Sequence, residues 1–127
     1  MRHGQTEPPS IPVARLFKPD AFPAGEIQEY LGSNAARVTD EEKRAQDRMQ
    51  DGLWNKVRHA SEVHRQVRRY AQSFIKPGLS LTEMCEKIEQ KNRDLVEESG
   101  LQAGIGFPTG CSINHIAAHF TRVGPRR

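Results

Sequence analysis

The residues best suited to chemistry in this sequence are two histidines, His115 and His119, which stand four positions apart. They follow an apolar run that begins at Phe107 and contains Pro108 and Gly110. Because proline lacks a backbone donor and glycine loosens the chain, this run is not expected to be helical. The pattern predicts a strand pair over about residues 104–120, with both histidines on one face and room for a ligand beside the backbone.

Metal-dependent hydrolysis needs several carboxylates converging on the ions, which lie about 3.5–4 Å apart in two-ion sites. No aspartate or glutamate follows Phe107 in this sequence. The sequence therefore predicts neither a metal site nor a nucleophile–base pair. A lone histidine such as His119 on an apolar segment is, on the residues alone, more often structural than ligand-binding. The remaining acids fall at predicted helix starts and on charged faces, among them Asp40, Glu41, Glu42, Glu83 and Glu86.

Two helices are predicted ahead of this run. The first covers about residues 39–75: Thr39 and Glu42 form a capping box, and apolar residues then recur at spacings of three and four. Pro77 and the glycine after it end the helix in a turn. A helix of that length would extend roughly 50 Å, which favours a place in a larger domain.

The second predicted helix covers about residues 81–99. Ser80 and Glu83 form its capping box, and Gly100 is placed as its C-terminal cap. Cys85 falls within its apolar stripe and is expected to be a core thiol. The short turn between the two helices predicts an antiparallel hairpin.

Residues 1–38 are rich in proline and carry isolated apolar side chains. Proline at this density is not compatible with a helix, so the segment is expected to be extended. One alternative is a disordered leader. The apolar side chains favour instead a strap lying over an apolar surface; they are Ile11, Val13, Leu16, Phe17, Phe22 and Ile27.

The overall charge is small, at +3, and 35% of the residues are hydrophobic. The chain is therefore polar for an independent globular domain, where about 45–50% is usual. A basic stretch around Arg65, Arg68 and Arg69, with His59 and His64, is interleaved with acids and is interpreted as a solvated helix face. No secretory signal or membrane span is predicted, and both cysteines are expected to be free in a reducing compartment.

The run at residues 107–114, followed by Ala117-Ala118-His119, resembles the first active-site strands of the type 2 methionine aminopeptidases. The similarity extends from about Gln5 to about Thr121 and includes the helical segments at residues 60–68 and 85–89. The segments at residues 5–12 and 22–26 resemble the strap that precedes the catalytic domain in type 2 enzymes and that type 1 enzymes lack.

The resemblance implies an α+β chain forming the N-terminal portion of a pita-bread fold: an extended strap, an antiparallel helix hairpin and a strand pair. The implied organisation is a strap over residues 1–38, the first part of the catalytic domain over 39–121, and a divergent basic end over 122–127. Enzymes of this family use two divalent ions, which are Co, Mn, Fe or Zn, held by ligands downstream of the stretch seen here. We therefore expect no ion to bind this chain, and we expect this truncated form to be inactive alone.

The family resemblance also implies roles for individual residues. His119 matches the histidine that lies near the substrate amide and that fumagillin-type inhibitors attack, whereas Phe107, Pro108 and Gly110 match the wall that receives the methionine side chain. His115 has no such match and is expected to be structural or incidental.

The implied function is removal of the initiator methionine in the cytoplasm. N-terminal Met peptides and nascent chains are the implied substrates and the ribosome a partner, with no membrane and no specific nucleic acid. The alternative is a non-catalytic pita-bread-like protein that acts by binding partners. Gly110-Cys111 and Ala117-Ala118, which such relatives tend to lose, favour the enzyme lineage.

Overall fold

The computed structural model describes residues 4–28 and 40–120. Its regular elements over those ranges are four helices: α1 (Val13–Leu16), α2 (Glu41–Met49), α3 (Asp51–Phe74) and α4 (Leu81–Val96). Thr39, the predicted strap beyond residue 28 and the predicted basic end at 122–127 lie outside the described residues. Within them, no helix is both long enough and apolar enough to span a bilayer.

The predicted single helix over residues 39–75 is in fact two helices that meet at Gln50. Its backbone angles there (φ −90°, ψ 2°) leave the helical region, and its amide donates to Asp47 O at 3.0 Å. Gly52, a weak helix former, stands two residues further on. The start of α2 also differs from the prediction, which placed the cap at Thr39. Asp40 caps the helix instead, by accepting hydrogen bonds from the amides of Glu42 and Lys43.

The antiparallel hairpin is confirmed for α3 and α4. Tyr70 and Phe74 lie one turn apart on α3, and their rings contact Lys91 and Lys87, which lie one turn apart on α4 in reverse order. The ammonium groups stand 5.1 Å from the Tyr70 ring centroid and 5.4 Å from that of Phe74. These contacts place the C-terminal half of α3 beside the first three turns of α4.

Both ends of α4 differ in detail from the prediction. Ser80 occupies the N-cap position, but its side chain makes no capping hydrogen bond, so the predicted capping box is absent. The helix ends at Val96, where Glu97 takes the left-handed conformation (φ 57°) that was predicted for Gly100. The last turn is closed by two backbone hydrogen bonds, from Glu97 N to Asp94 O and from Glu98 N to Arg93 O, so no glycine is needed there.

Over the described residues 4–28, the N-terminal segment packs against α3 and α4. Its prediction as wholly non-helical is wrong, because α1 forms one helical turn directly after Pro12. Proline is tolerated at a helix start, where its missing N–H has no intrahelical partner. Val13 is completely buried and forms one core cluster with Val63, Val67 and Leu95.

The predicted strand pair over residues 104–120 is not found in the part of the chain that the structure describes. Only an isolated bridge between Ser99 and Ala103 is present after α4. Asn114 (φ 54°) and His119 (φ 63°) adopt left-handed conformations that interrupt an extended strand. A strand also needs a continuous ladder of hydrogen bonds, whereas between residues 111 and 120 the described backbone bonds are two isolated ones, from Cys111 N to Phe120 O and from Ile116 N to Ile113 O.

Candidate functional site

The segment that carries the predicted site residues follows α4 and is attached to one face of that helix. The amide of Thr109 donates to Glu89 Oε1 at 3.0 Å, and the thiol of Cys85 lies 3.9 Å from the Thr109 carbonyl oxygen. Cys85 and Glu89 are one helical turn apart, so both backbone groups of Thr109 are bonded to the same face of α4.

The loop between Cys111 and Phe120 is closed by a backbone hydrogen bond from Cys111 N to Phe120 O, 3.0 Å long. Gly110 and His119 immediately precede these two residues in the chain. The closure therefore joins the residues that directly follow Gly110 and His119.

The four predicted substrate residues are all exposed. Phe107 has 76% of its surface accessible, and Pro108, Gly110 and His119 are likewise open to solvent. A Cβ atom placed on Gly110 would meet nothing within 4 Å, so there is free space above its backbone. Their assignment to a methionine pocket stays a prediction; His115 is also exposed.

The two cysteines lie beneath this exposed surface. Cys85 and Cys111 are free thiols with 5% of their surface accessible, which confirms Cys85 as a core thiol. Burial raises the pKa of Cys85 to about 11, with further contributions from the neighbouring Cys111 thiol and from Glu89. Cys85 is therefore protonated at neutral pH.

The described ranges contain no group of three or more His, Cys, Asp or Glu side chains placed to hold a metal ion. Three of the acids named above have other partners: Asp40 caps α2, Glu41 pairs with Arg44 and Arg48, and Glu83 pairs with Lys87 at 2.7 Å. These residues do not fit the two-ion site that the family resemblance implies.

A polar network between the N-terminal segment and α3 was missed by sequence reasoning. Glu62 is buried and accepts from Arg65 at 2.6 and 2.7 Å and from Gln66 at 2.8 Å. Gln66 in turn accepts from Gln5 Nε2 at 2.8 Å. The hydrogen bond from Arg65 lowers the pKa of Glu62, which keeps the carboxylate charged.

The network lines part of a surface cavity of about 400 Å³ that also borders Arg69, Tyr70 and Thr6. The sequence did contain a signal for it. Glu62 and Gln66 are four residues apart, beside the core residues Val63 and Val67, and therefore partly on the buried side of α3. The rest of the basic stretch is only partly as predicted: Arg68, Arg69 and His64 are exposed, as is Arg65 apart from its bonds to Glu62. The prediction is wrong for His59, which is half-buried because its ring stacks on Phe22.

Comparison with known proteins identifies several relatives, although no family model matches the chain. Methionine aminopeptidase 2 of Dictyostelium discoideum is 57% identical over 117 residues, covering 92% of this chain and 27% of that protein. Methionine aminopeptidase 2A of Arabidopsis thaliana is 55% identical over 117 residues, covering 92% and 26%. Methionine aminopeptidase 2 of Schizosaccharomyces pombe is 52% identical over 117 residues, covering 92% and 28%.

The chain thus spans about 27% of the length of the curated relatives it matches. Identity at this level over nearly all of the chain confirms the resemblance found in the sequence. By sequence, the chain is a relative of the type 2 methionine aminopeptidases and corresponds to one region of them.

Proposed function

We propose that this chain supplies one wall of the substrate pocket of a type 2 methionine aminopeptidase, which removes the initiator methionine from N-terminal Met peptides and nascent chains. The observation that carries the proposal is the 57% identity to a protein named methionine aminopeptidase 2 over 92% of the chain. In this proposal, α2, α3 and α4 belong to the first part of a pita-bread catalytic domain, over residues 39–121, which follows a strap over residues 1–38. Contact with the ribosome and a cytoplasmic location belong to the same proposal.

The chemistry of the exposed segment supports the pocket assignment. A thioether side chain favours a soft apolar slot with an aromatic edge, which Phe107 and Pro108 can offer. The open space above Gly110 lets such a side chain approach the backbone. His119, near the amide of the first peptide bond, can donate or accept a hydrogen bond there, because imidazole has one nitrogen of each kind when neutral.

In this family, divalent ions activate the attacking water. The described residues include no group of side chains that fits such an ion. We therefore expect the 127-residue chain, assayed alone, to release no methionine. The role proposed for this chain is contact with the substrate. The chain's contribution to activity is accordingly tested within a complete enzyme.

The test is a chimera in which this chain replaces the matching region of the Dictyostelium discoideum methionine aminopeptidase 2. Methionine release from a Met-Ala-Ser peptide is measured with added manganese or cobalt, and the unaltered parent is the control. We expect the chimera to have a kcat/KM of the same order as the parent. A chimera that folds cooperatively and loads metal as the parent does, yet releases no methionine, would overturn the proposal.

A further inference from the structure

We propose that Cys85 and Cys111 form a redox modification site, in which a small-molecule disulfide such as oxidised glutathione converts the two thiols into an internal disulfide. This bond would fasten the segment carrying Phe107, Pro108 and Gly110 to α4. The inference goes beyond the proposed aminopeptidase role, and its chemistry does not depend on that role.

The first support is the way the segment is attached to α4. Cys85 lies 3.9 Å from the carbonyl oxygen of Thr109, and Thr109 is two residues before Cys111. The bond from Thr109 N to Glu89 Oε1 fixes the segment along the same face. These two contacts therefore place Cys111 close to Cys85.

The second support is that the two thiols share one buried environment. Each cysteine has 5% of its surface accessible, and the Cys111 thiol is close enough to contribute to the raised pKa of Cys85. Cys111 is also held by two contacts to Phe120 O, from its amide at 3.0 Å and from its sulfur at 3.7 Å. Two thiols buried together on neighbouring elements are candidates for a disulfide, which needs their Cβ atoms to come within about 3.5–4.5 Å of each other.

Access for the oxidant requires local opening. Between Thr109 and Phe120 the described contacts to α4 are few, and no strand ladder holds the segment. Segments with few hydrogen bonds and exposed apolar residues open at low free-energy cost. Opening exposes Cys111 first, because Cys85 is part of the helix.

The reaction balances as two exchanges. The Cys111 thiolate attacks one sulfur of the oxidised glutathione, the glutathione disulfide bond breaks, and one glutathione thiolate leaves. Cys85 then loses its proton and attacks the Cys111 sulfur of the mixed disulfide, which releases the second glutathione. Two protein thiols are oxidised and one glutathione disulfide is reduced to two thiols.

The bond should also stabilise the folded chain, because it closes a loop in the unfolded state. By thermodynamic linkage, folding must favour formation of the disulfide by the same free energy by which the disulfide favours folding. Under reducing conditions both thiols stay free and buried, so the resting chain is the dithiol.

The experiment equilibrates the full 127-residue chain in buffers of graded ratio of oxidised to reduced glutathione, in native buffer and in urea. After an acid quench, intact mass and peptide mapping report the redox state. We expect a native product lighter by two hydrogen atoms, with a Cys85–Cys111 cross-linked peptide, reversed by dithiothreitol. The native chain should be half oxidised at a glutathione ratio at least about tenfold lower than the chain in urea.

Matched variants separate this from general thiol reactivity. Cys85→Ser and Cys111→Ser should each yield glutathione adducts on the remaining cysteine and no loss of two hydrogens. The oxidised wild-type chain should have a Tm at least about 5 °C above that of the reduced chain, with no shift in the double variant Cys85→Ala/Cys111→Ala. Native wild-type chain that ends as stable glutathione adducts or as cross-linked dimers would overturn the proposal. So would an internal disulfide that forms as readily in urea as in native buffer.

Discussion

The imidazole of His59 on α3 stacks on the phenyl ring of Phe22 in the N-terminal segment, with ring centroids 4.7 Å apart and planes inclined by 24°. Phe22 also meets the edge of Phe17, at 5.9 Å between centroids. His59 Nε2 is buried and has no hydrogen-bond partner among residues 4–28 and 40–120, and burial lowers the pKa of the imidazole. The contact between the N-terminal segment and α3 therefore favours neutral His59.

The first prediction concerns pH. Because the pKa of His59 is lower in the folded than in the unfolded chain, the unfolded state binds more protons as pH falls through 6.5. Folding stability should thus be at its highest above about pH 6.5 and decrease as pH falls through 6.5 toward the folded-state pKa. Urea denaturation midpoints measured between pH 5 and pH 8 test this. His59→Leu should flatten the dependence over that range.

The matched control for His59 is His64→Gln, an exposed histidine on the same helix. Its curve against pH should follow that of the wild-type chain. If His59→Leu retained the full wild-type dependence, the stacking contact would not be its source.

The second prediction concerns the shared core. Leu95 is completely buried among residues of α1 and α3, so Leu95→Ala should cost about 2–5 kcal/mol of unfolding free energy. In a chain of low stability, that loss would abolish the helical circular-dichroism signal. Leu101→Ala, at a fully exposed leucine, should change stability by no more than about 0.5 kcal/mol. Equal effects of the two substitutions would contradict this packing.

The third prediction distinguishes the two helix starts. Asp40 accepts hydrogen bonds from two backbone amides, so Asp40→Ala should cost about 0.5–2 kcal/mol, and Asp40→Asn should restore most of it. Ser80 makes no side-chain capping bond, so Ser80→Ala should have the smaller effect. Denaturant titration followed by circular dichroism measures both. A larger loss at Ser80 than at Asp40 would show that the caps are assigned wrongly.

The sequence predicted the helices well because their information is local. Apolar spacing and the turn at Pro77 were sufficient to indicate an antiparallel hairpin. The break at Gln50 was missed because apolar residues keep the same helical spacing on both sides of it. That spacing does not reveal where the backbone angles leave the helical region. The end of α4 was misplaced because glycine is a strong statistical signal at C-caps, whereas here the amides of Glu97 and Glu98 close the turn.

The strand pair was misjudged for a different reason. Proline and glycine content indicates that a segment is not helical, but a strand forms only where a partner completes its hydrogen bonds. In the described segment after α4, Cys111 finds one such bond, to Phe120. The resemblance identified candidate residues such as His119 without determining their geometry, because exposed side chains on an irregular segment have no periodicity from which to read it.

The fourth prediction concerns the polar network. Gln66 accepts from Gln5 and donates to buried Glu62, so Gln66→Leu removes one partner from each. A buried group deprived of a partner costs about 1–3 kcal/mol. The variant should lose stability by that amount and show faster amide hydrogen exchange around Gln5 to Ile11, measured by mass spectrometry.

The control for Gln66 is Gln72→Leu, at an exposed position on the same helix, with an expected change within about 0.5 kcal/mol. Unchanged exchange near Gln5 in the Gln66→Leu chain would mean that the hydrogen bond does not hold the N-terminal segment.

The fifth prediction concerns His119 in the chimeric aminopeptidase. If its imidazole lies at the substrate amide, His119→Ala should lower kcat/KM on the order of 10²-fold or more, as for loss of a histidine acting in proton transfer or amide polarisation. His115→Ala, an exposed histidine with no assigned role, should keep the activity of the chimera. Steady-state release of methionine from Met-Ala-Ser measures both.

A backbone effect must be separated from loss of the imidazole, because His119 has a left-handed conformation (φ 63°) that alanine tolerates poorly. Asparagine accepts this conformation more readily, so His119→Asn preserves the backbone while it removes the ring. We expect both variants to lose activity to a similar extent while the Tm of His119→Asn stays at the value of the chimera. If His119→Asn were fully active, the residue would act through its backbone conformation, and its assignment to the substrate pocket would be wrong.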